Sequence, residues 1–348
     1  MIDPRTSSGN PVAKLPFGGV TGITFGGKER SFGVEISGIA APEVGLGVAA
    51  IWDDCTQSVY YVDFLSTGQA PSIFRYDYNE DKVYFAYILG QSGPSFILPI
   101  KECNKYKNLF AVGLNHYMAV IEWDGKSPVA TVKGNVFSVE ESDPTSRICV
   151  GRQGEKGRFY GGMVNNFCGG PSNSSFYMYS KEKGLRLLFT GPQVTTGVAF
   201  DEDSGYVYHI GSCKLLITAF QGDANGDICN GRALFDFHSL GYKAPDTSPI
   251  GLEADADGFL YTALYSDGSI WKIDPRTSSG NPIAQMPFNL VGSVTFGGPK
   301  RDILFVPVGT ANIDLISGQI IGRNSPRTSL YKIRELGAKG RKYSRFIV

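Results

Sequence analysis

The stretch DADGFLYTALYSDGSIWKID, residues 255–274, carries the pattern on which the fold turns. A polar turn, DADG, leads into FLYTAL, and a second turn, SDG, leads into SIWKID. Aromatic and β-branched side chains suit a half-buried pleated surface, and Gly, Asp and Ser tolerate tight turns, so the stretch predicts two antiparallel strands. Comparable runs recur as VYYVDF from Val59, LFAVGL from Leu109, RFYGGM from Arg158, YVYHIG from Tyr206 and ILFVPV from Ile303, with starts about 44 to 53 residues apart. Each is followed by a second run of related character, such as SIFRYDY, MAVIEWD or LLITAF, and most by a third, such as GLRLLF, GRALFDF or NPIAQMPF.

A period of several short strands predicts a β-propeller. One twisted four-stranded sheet cannot bury both of its faces, whereas sheets packed radially cover each other. Six such units fit residues 34–348, which predicts an all-β, six-bladed β-propeller; a pair of β-sandwiches divides the units poorly. In this architecture ligands collect at one mouth of the central channel. The segments to watch are therefore those entering the inner strands: LGVAAIW (46–52), SFILPI (95–100), SRICVG (146–151), VTTGVAF (194–200), SPIGLEA (248–254) and VGSVTFGG (291–298).

Composition agrees. Gly is high at 44 of 348 residues, aromatics reach 12%, and the 42% hydrophobic content is enough for a large core. Lys plus Arg and Asp plus Glu both number 33, so no basic field exists to attract nucleic acid or anionic lipid. No apolar run approaches the ~20 residues of a membrane span. The opening MIDPRTSSGN has neither the basic nor the apolar region of a secretory signal, and cytoplasmic and extracellular locations both stay open. The six cysteines form no C-x-x-C pair, which argues against a zinc or thioredoxin-type site and leaves their disulfide state open.

Several of these segments resemble the regucalcin/gluconolactonase/luciferin-regenerating enzyme family. GLGVAAIWDDCTQSVYYVDF looks like the start of its first blade, SRICVGRQGEKGRFYGGM like its Asn-Arg-x-Asn-Asp-Gly-Lys segment, and VTTGVAF like a Ser/Ala-Asn-Gly-x-x-Trp segment. SPIGLEADADGFLYTALYSDGSIWKIDP is similar to Pro-Asp-Gly-x-x-x-Asp-x-x-Gly-x-Leu-Trp, and LGAKGRKYSRF to the family's tail. SFILPI and AVIEWDG lean toward the insect luciferin-regenerating branch. The resemblance covers about residues 44–348 and implies six blades. It also implies a divalent cation at the channel mouth, held by a Glu, an Asn and an Asp, that polarises a lactone carbonyl.

This chain departs from that pattern at the ligand positions. Val48 stands where the Glu would fall, Thr196 at the central Asn, Ile250 at the Asp, and Cys149 at a further Asn, with Val150 beside it. Arg147 and the flanking Gly47, Gly151, Gly197 and Gly251 remain. Val and Ile cannot ligate a hard cation, and nothing carboxylic offsets its charge. The expectation is a non-catalytic or neofunctionalised small-molecule-binding protein. It has no catalytic residue, metal ligand or cofactor, and an uncharged or aromatic ligand contacts Val48, Arg147, Cys149, Asn166, Thr196 and Ile250. The alternative is a metal-dependent lactone hydrolase or luciferin-regenerating-type enzyme with a rebuilt site for Ca²⁺ or another divalent cation, in which Asn165 and Asn166 are the nearby polar candidates.

Other motifs read as structural. DANGDICNG (223–231) lacks the Gly and Glu an EF-hand needs and predicts a hairpin turn. His209 is expected as a packed histidine on an inner strand, Cys149 as a small wall residue without a base, and the basic run KGRKYSR (339–345) as a solvated tail. The decapeptide IDPRTSSGNP occurs at residues 2–11 and again at 273–282. Residues 1–33 thus duplicate roughly 272–304 and are expected to lie peripheral to the propeller.

Overall fold

The computed structural model describes residues 29–348 apart from 68–69, 92, 102–107, 140–145, 155, 165–167, 170–173, 192–193, 202 and 327. Residues 1–28, most of the duplicated segment, lie outside the described residues. Consecutive strands fold as antiparallel meanders. Those beginning at Arg147–Gln153, Thr195–Asp201 and Ser248–Ala254 are separate four-stranded sheets. The meanders beginning at Gly47–Asp53 and Ile97–Pro99 join at their far edges through a short parallel contact, Val129 opposite Tyr87 and Ala130 opposite Ile88. The last sheet runs Thr295–Gly297, Ile303–Pro307, Leu330–Arg334, and is completed from the other end of the chain by Val34–Ile39. Glu29–Ser31 hairpins onto that strand at the sheet edge.

The first strand of each meander lies innermost, and these strands touch in a closed circuit: Gly47–Asp53 meets Ile97–Pro99, then Arg147–Gln153, Thr195–Asp201, Ser248–Ala254, Thr295–Gly297, and Gly47–Asp53 again. The circuit is tight. A Cβ at Gly292 would stand 1.7 Å from the Gly47 carbonyl oxygen, so only glycine lets the first and last sheets meet there. Between sheets lie layers of aromatic side chains. Trp52 stacks on Phe305 with centroids 6.0 Å apart, and Tyr160 packs on Phe200 at 5.0 Å. Among the described residues no helix is long and apolar enough to cross a membrane.

Two expectations need correction here. The basic tail is not a solvated appendage. Arg345 makes a two-point pair with Asp53 at 2.9 and 2.7 Å, Arg341 pairs with Asp201 at 2.6 Å and donates to the Asp255 carbonyl, and Phe346 is fully buried. Asp53 and Asp201 end inner strands and Asp255 directly follows one, so the tail crosses one end of the channel and ties several sheets together. His209 is buried as expected, but on the second strand of its sheet, Tyr206–Gly211, with Thr195 Oγ1 2.9 Å from Nε2 and the rings of Phe176 and Phe189 around it. The 223–231 segment is the hairpin expected, Asp223 accepting from the backbone N–H of Asn225 and Asp227.

These buried groups titrate in separate windows. Burial, with a smaller push from Lys214, drops His209 from its ordinary 6.5 to about 3. The native state then binds fewer protons than the unfolded chain between those values, and stability falls on acidification through that window. Its slope is about 1.4 kcal/mol per pH unit for one proton. Urea unfolding from pH 6.5 to 4.5 should show that slope in the wild type and lose most of it in His209→Phe. For Asp53, burial opposes ionisation, but hydrogen bonds from Arg345 and Thr56 outweigh it and hold its pKa below the usual carboxylate range. That contribution is present above about pH 4 and disappears below it. Arg345→Ala should cost about 3 kcal/mol at pH 7, because it strands a buried carboxylate, and the penalty should shrink as the pH falls below 4.

Candidate functional site

Four of the inner strands carry a break in register against the next strand of their sheet, and residues at all four breaks line one cavity. The breaks lie between Val48 and Ile51, Ile148 and Val150, Thr195 and Gly197, and Ile250 and Leu252. The residues left over are Ala49 and Ala50, Cys149, Thr196 and Gly251. A bulge bends its strand and re-aims a side chain that the pleat would otherwise point elsewhere. Ala49 takes a positive φ of 53° and Gly251 one of 67°, the conformations such bulges demand.

The bulges open a cavity of about 100 Å³. Val48, Cys149, Thr196 and Ile250 all line it, together with Leu46, Phe64, Leu98, Val194, Val198, Leu252 and Val294. Arg147 does not. Its guanidinium lies 3.8 Å from the centre of the Phe64 ring and donates to the Gly93 carbonyl, so it props the wall from behind. Asn165 and Asn166 lie outside the described residues.

The hydroxyls in the wall face backbone rather than the cavity's centre. Thr196 and Ser212 both donate to the Pro249 carbonyl, at 2.9 and 3.0 Å. Tyr265 donates to Ala311 O at 2.9 Å and accepts from Ile313 N at 2.8 Å. Ser293 accepts from Ala50 N at 3.0 Å. With donors and acceptors committed in this way, the surface offered to a ligand is mainly hydrocarbon. Cys149 adds no nucleophile, since burial pushes its thiol up to about 12 against a weaker pull from Arg147.

A hard divalent cation does not fit this donor set. No carboxylate is among the described lining residues, and the oxygen of Thr196 is engaged. Asp63, at the end of the strand beside Gly47–Asp53, has both oxygens taken by the N–H groups of Gly45, Leu46 and Leu65. Among the described residues no cluster of three or more His, Cys, Asp or Glu is placed to hold a metal.

Sequence reasoning missed three parts of the site. The hairpin of Ala311–Ile313 and Ile320–Arg323 leaves the last sheet and lays Ile313 and Leu315 over the cavity. A disulfide, Cys168–Cys213, pins the loop beside it, and Cys168 N donates to Leu315 O at 2.8 Å. At the inner end stands Arg152, the one charged residue among the described lining residues. It pairs with buried Glu253, which also accepts from Thr295 at 3.0 Å. Charged residues inside VGRQ and GLEA, otherwise apolar inner-strand sequence, were the available signal for the last of these. Nothing local marks where a hairpin will fold back.

The profile of the SMP-30/Gluconolactonase/LRE-like region matches residues 46–310. Regucalcin of Xenopus laevis is 22% identical over 313 residues, spanning 88% of this chain and 96% of the relative. Among solved structures, a luciferin-regenerating enzyme superposes with a TM-score of 0.78 at 25% identity, covering 91% of this chain and all (100%) of the other. A calcium-binding regucalcin from Agrobacterium tumefaciens superposes with a TM-score of 0.70 at 17% identity, covering 89% and 96%. The closed circuit of inner strands, the meander sheets and the profile match together place this chain in the SMP-30/gluconolactonase/luciferin-regenerating enzyme family of β-propellers.

Proposed function

We propose that the chain is a divergent, six-bladed member of its family that binds a small uncharged molecule at the channel mouth instead of hydrolysing a lactone at a metal ion. The blade count rests on the meanders whose first strands close the circuit, with residues 34–39 completing the last blade. Residues 1–33 are proposed as a duplicated segment that adds no blade, with Glu29–Ser31 within it lying at the edge of the last sheet.

One observation carries the functional reading: the positions facing the mouth are Val48, Cys149, Thr196 and Ile250, and the hydroxyls around them are turned onto backbone. An enclosed, mainly apolar wall with few free polar groups is the surface that binds apolar ligands through desolvation. The space amounts to roughly seven to ten water positions, which sets the ligand at about ten heavy atoms. The Cys168–Cys213 bridge at the rim fits a protein that matures under oxidising conditions.

Calorimetric titration with CaCl₂, run beside an assay of gluconolactone turnover, tests this reading. We expect no stoichiometric calcium binding and no chelator-sensitive hydrolysis. A one-to-one calcium isotherm with turnover abolished by EDTA would establish the metal-hydrolase reading instead. In a second test, Ile250→Asp should weaken binding of a small apolar probe such as 1-octanol by about tenfold or more, because it sets a charge in the wall.

A further inference from the structure

A second pocket, of about 160 Å³, lies at the opposite end of the channel, between the meanders that begin at Gly47–Asp53 and Ile97–Pro99. The tail borders it: Arg345 stands in the wall, and Phe346 N donates to Pro99 O at 3.0 Å. Tyr60, Phe110 and Trp123 form its back, with ring centroids 5.0 to 6.3 Å apart. Arg75, only 9% exposed, is also in the wall. Its Nε donates to Ser58 Oγ at 3.0 Å and its Nη2 to Asp77 at 2.6 Å. The third nitrogen, Nη1, makes no hydrogen bond, yet it is not sealed inside the protein. It lies against Gly125, another wall residue, on which a Cβ would stand 2.9 Å from it. Asn108 is exposed at the same pocket, and its side-chain amide makes no hydrogen bond.

We infer that this pocket binds a small neutral polyol, with one hydroxyl accepting from Arg75 Nη1–H and others exchanging hydrogen bonds with the Asn108 amide. The charges in the wall decide the class. Each guanidinium already has its own carboxylate, Asp77 for Arg75 and Asp53 for Arg345. Asp124, also in the wall, is a further carboxylate, held by the N–H groups of Lys126 and Ser127 at 2.8 and 2.7 Å. An anion would therefore enter against Asp53 and Asp124, and a cation against Arg75 and Arg345. A hydroxyl avoids both penalties and still takes a charge-assisted bond from Nη1. A single hydroxyl leaves the Asn108 amide to water, whereas several on adjacent carbons reach both groups, since a hydroxyl donates as well as accepts. The space holds roughly ten water positions or more, which suits a ligand of about twelve heavy atoms. This pocket shares no described wall residue with the channel mouth, and neither reading depends on the other.

Calorimetric titration of the full-length protein with myo-inositol at pH 7 tests this, with cyclohexanol, cyclohexanecarboxylate and cyclohexylamine as competitors on the same ring. Myo-inositol should bind one to one, and each competitor should displace it only at about tenfold or higher concentration than myo-inositol itself needs. Asn108→Gly, which suits the positive φ of 81° at that position, should weaken myo-inositol about fivefold or more. Arg75→Met should weaken it further. Ile250→Asp, at the other end of the channel, should leave it unchanged. Absence of myo-inositol binding would overturn the inference and leave the channel-mouth reading standing. Competition by any of the three as effective as myo-inositol itself would overturn it as well. So would binding that Ile250→Asp removes and Asn108→Gly does not, since the polyol would then sit at the channel mouth. Should Arg75→Met fail to fold, Asn108→Gly and the order of the probes decide the matter.

Discussion

The molecule depends on one long-range pairing, the zipping of Val34–Ile39 onto Leu330–Arg334. Every other strand pair in the sheets joins segments near each other in sequence. This one joins the two ends of the described chain and completes the last sheet. Without it the Thr295–Gly297 strand has no complete sheet behind it, and the first and last inner strands have no reason to meet at Gly47 and Gly292. The tail reinforces the closure from below, with Arg341 and Arg345 reaching carboxylates on different sheets. A closed ring is what makes the channel mouth a defined enclosure.

Within that enclosure chemistry is set by bulges and by hydrogen-bond commitments. The bulges bring Val48, Cys149, Thr196 and Ile250 from four sheets into one cavity wall. The same geometry could present metal ligands if those side chains carried oxygen or charge, but here it presents methyl groups, a protonated thiol and a hydroxyl already bonded to Pro249. Oxygen atoms are present in the wall, yet most have partners in the backbone. Counting polar residues would therefore overstate the polarity of the site. The exception is Arg152, the charged residue of the described wall, and its guanidinium is paired with Glu253 of another sheet.

Much of the fold was legible because a propeller repeats. The strand runs, their spacing and the inner segments at 46–52, 95–100, 146–151, 194–200, 248–254 and 291–298 all come from local pattern, and each observed inner strand overlaps its segment, with Gly47–Asp53, Arg147–Gln153 and Thr195–Asp201 running one or two residues past its end. Val48, Cys149, Thr196 and Ile250 could be placed because their glycine neighbours hold the register. What could not be read depends on where a segment goes after it leaves its sheet. The basic tail looks solvated in one dimension because its partners, Asp53 and Asp201, lie far away in sequence. The 311–323 hairpin and the Cys168–Cys213 bridge fail to show for the same reason. Arg147 was assigned to the ligand because it survives from the family's segment, but its side chain turns onto Phe64 and Gly93.

The central claim is that the ring of Val48, Cys149, Thr196 and Ile250 no longer holds a cation. Anomalous diffraction from crystals grown with manganese tests it at atomic level, since Mn²⁺ accepts the same oxygen ligands as calcium and magnesium. The account predicts no anomalous peak within the ring. A strong peak there, at bonding distance from protein oxygens, would contradict it.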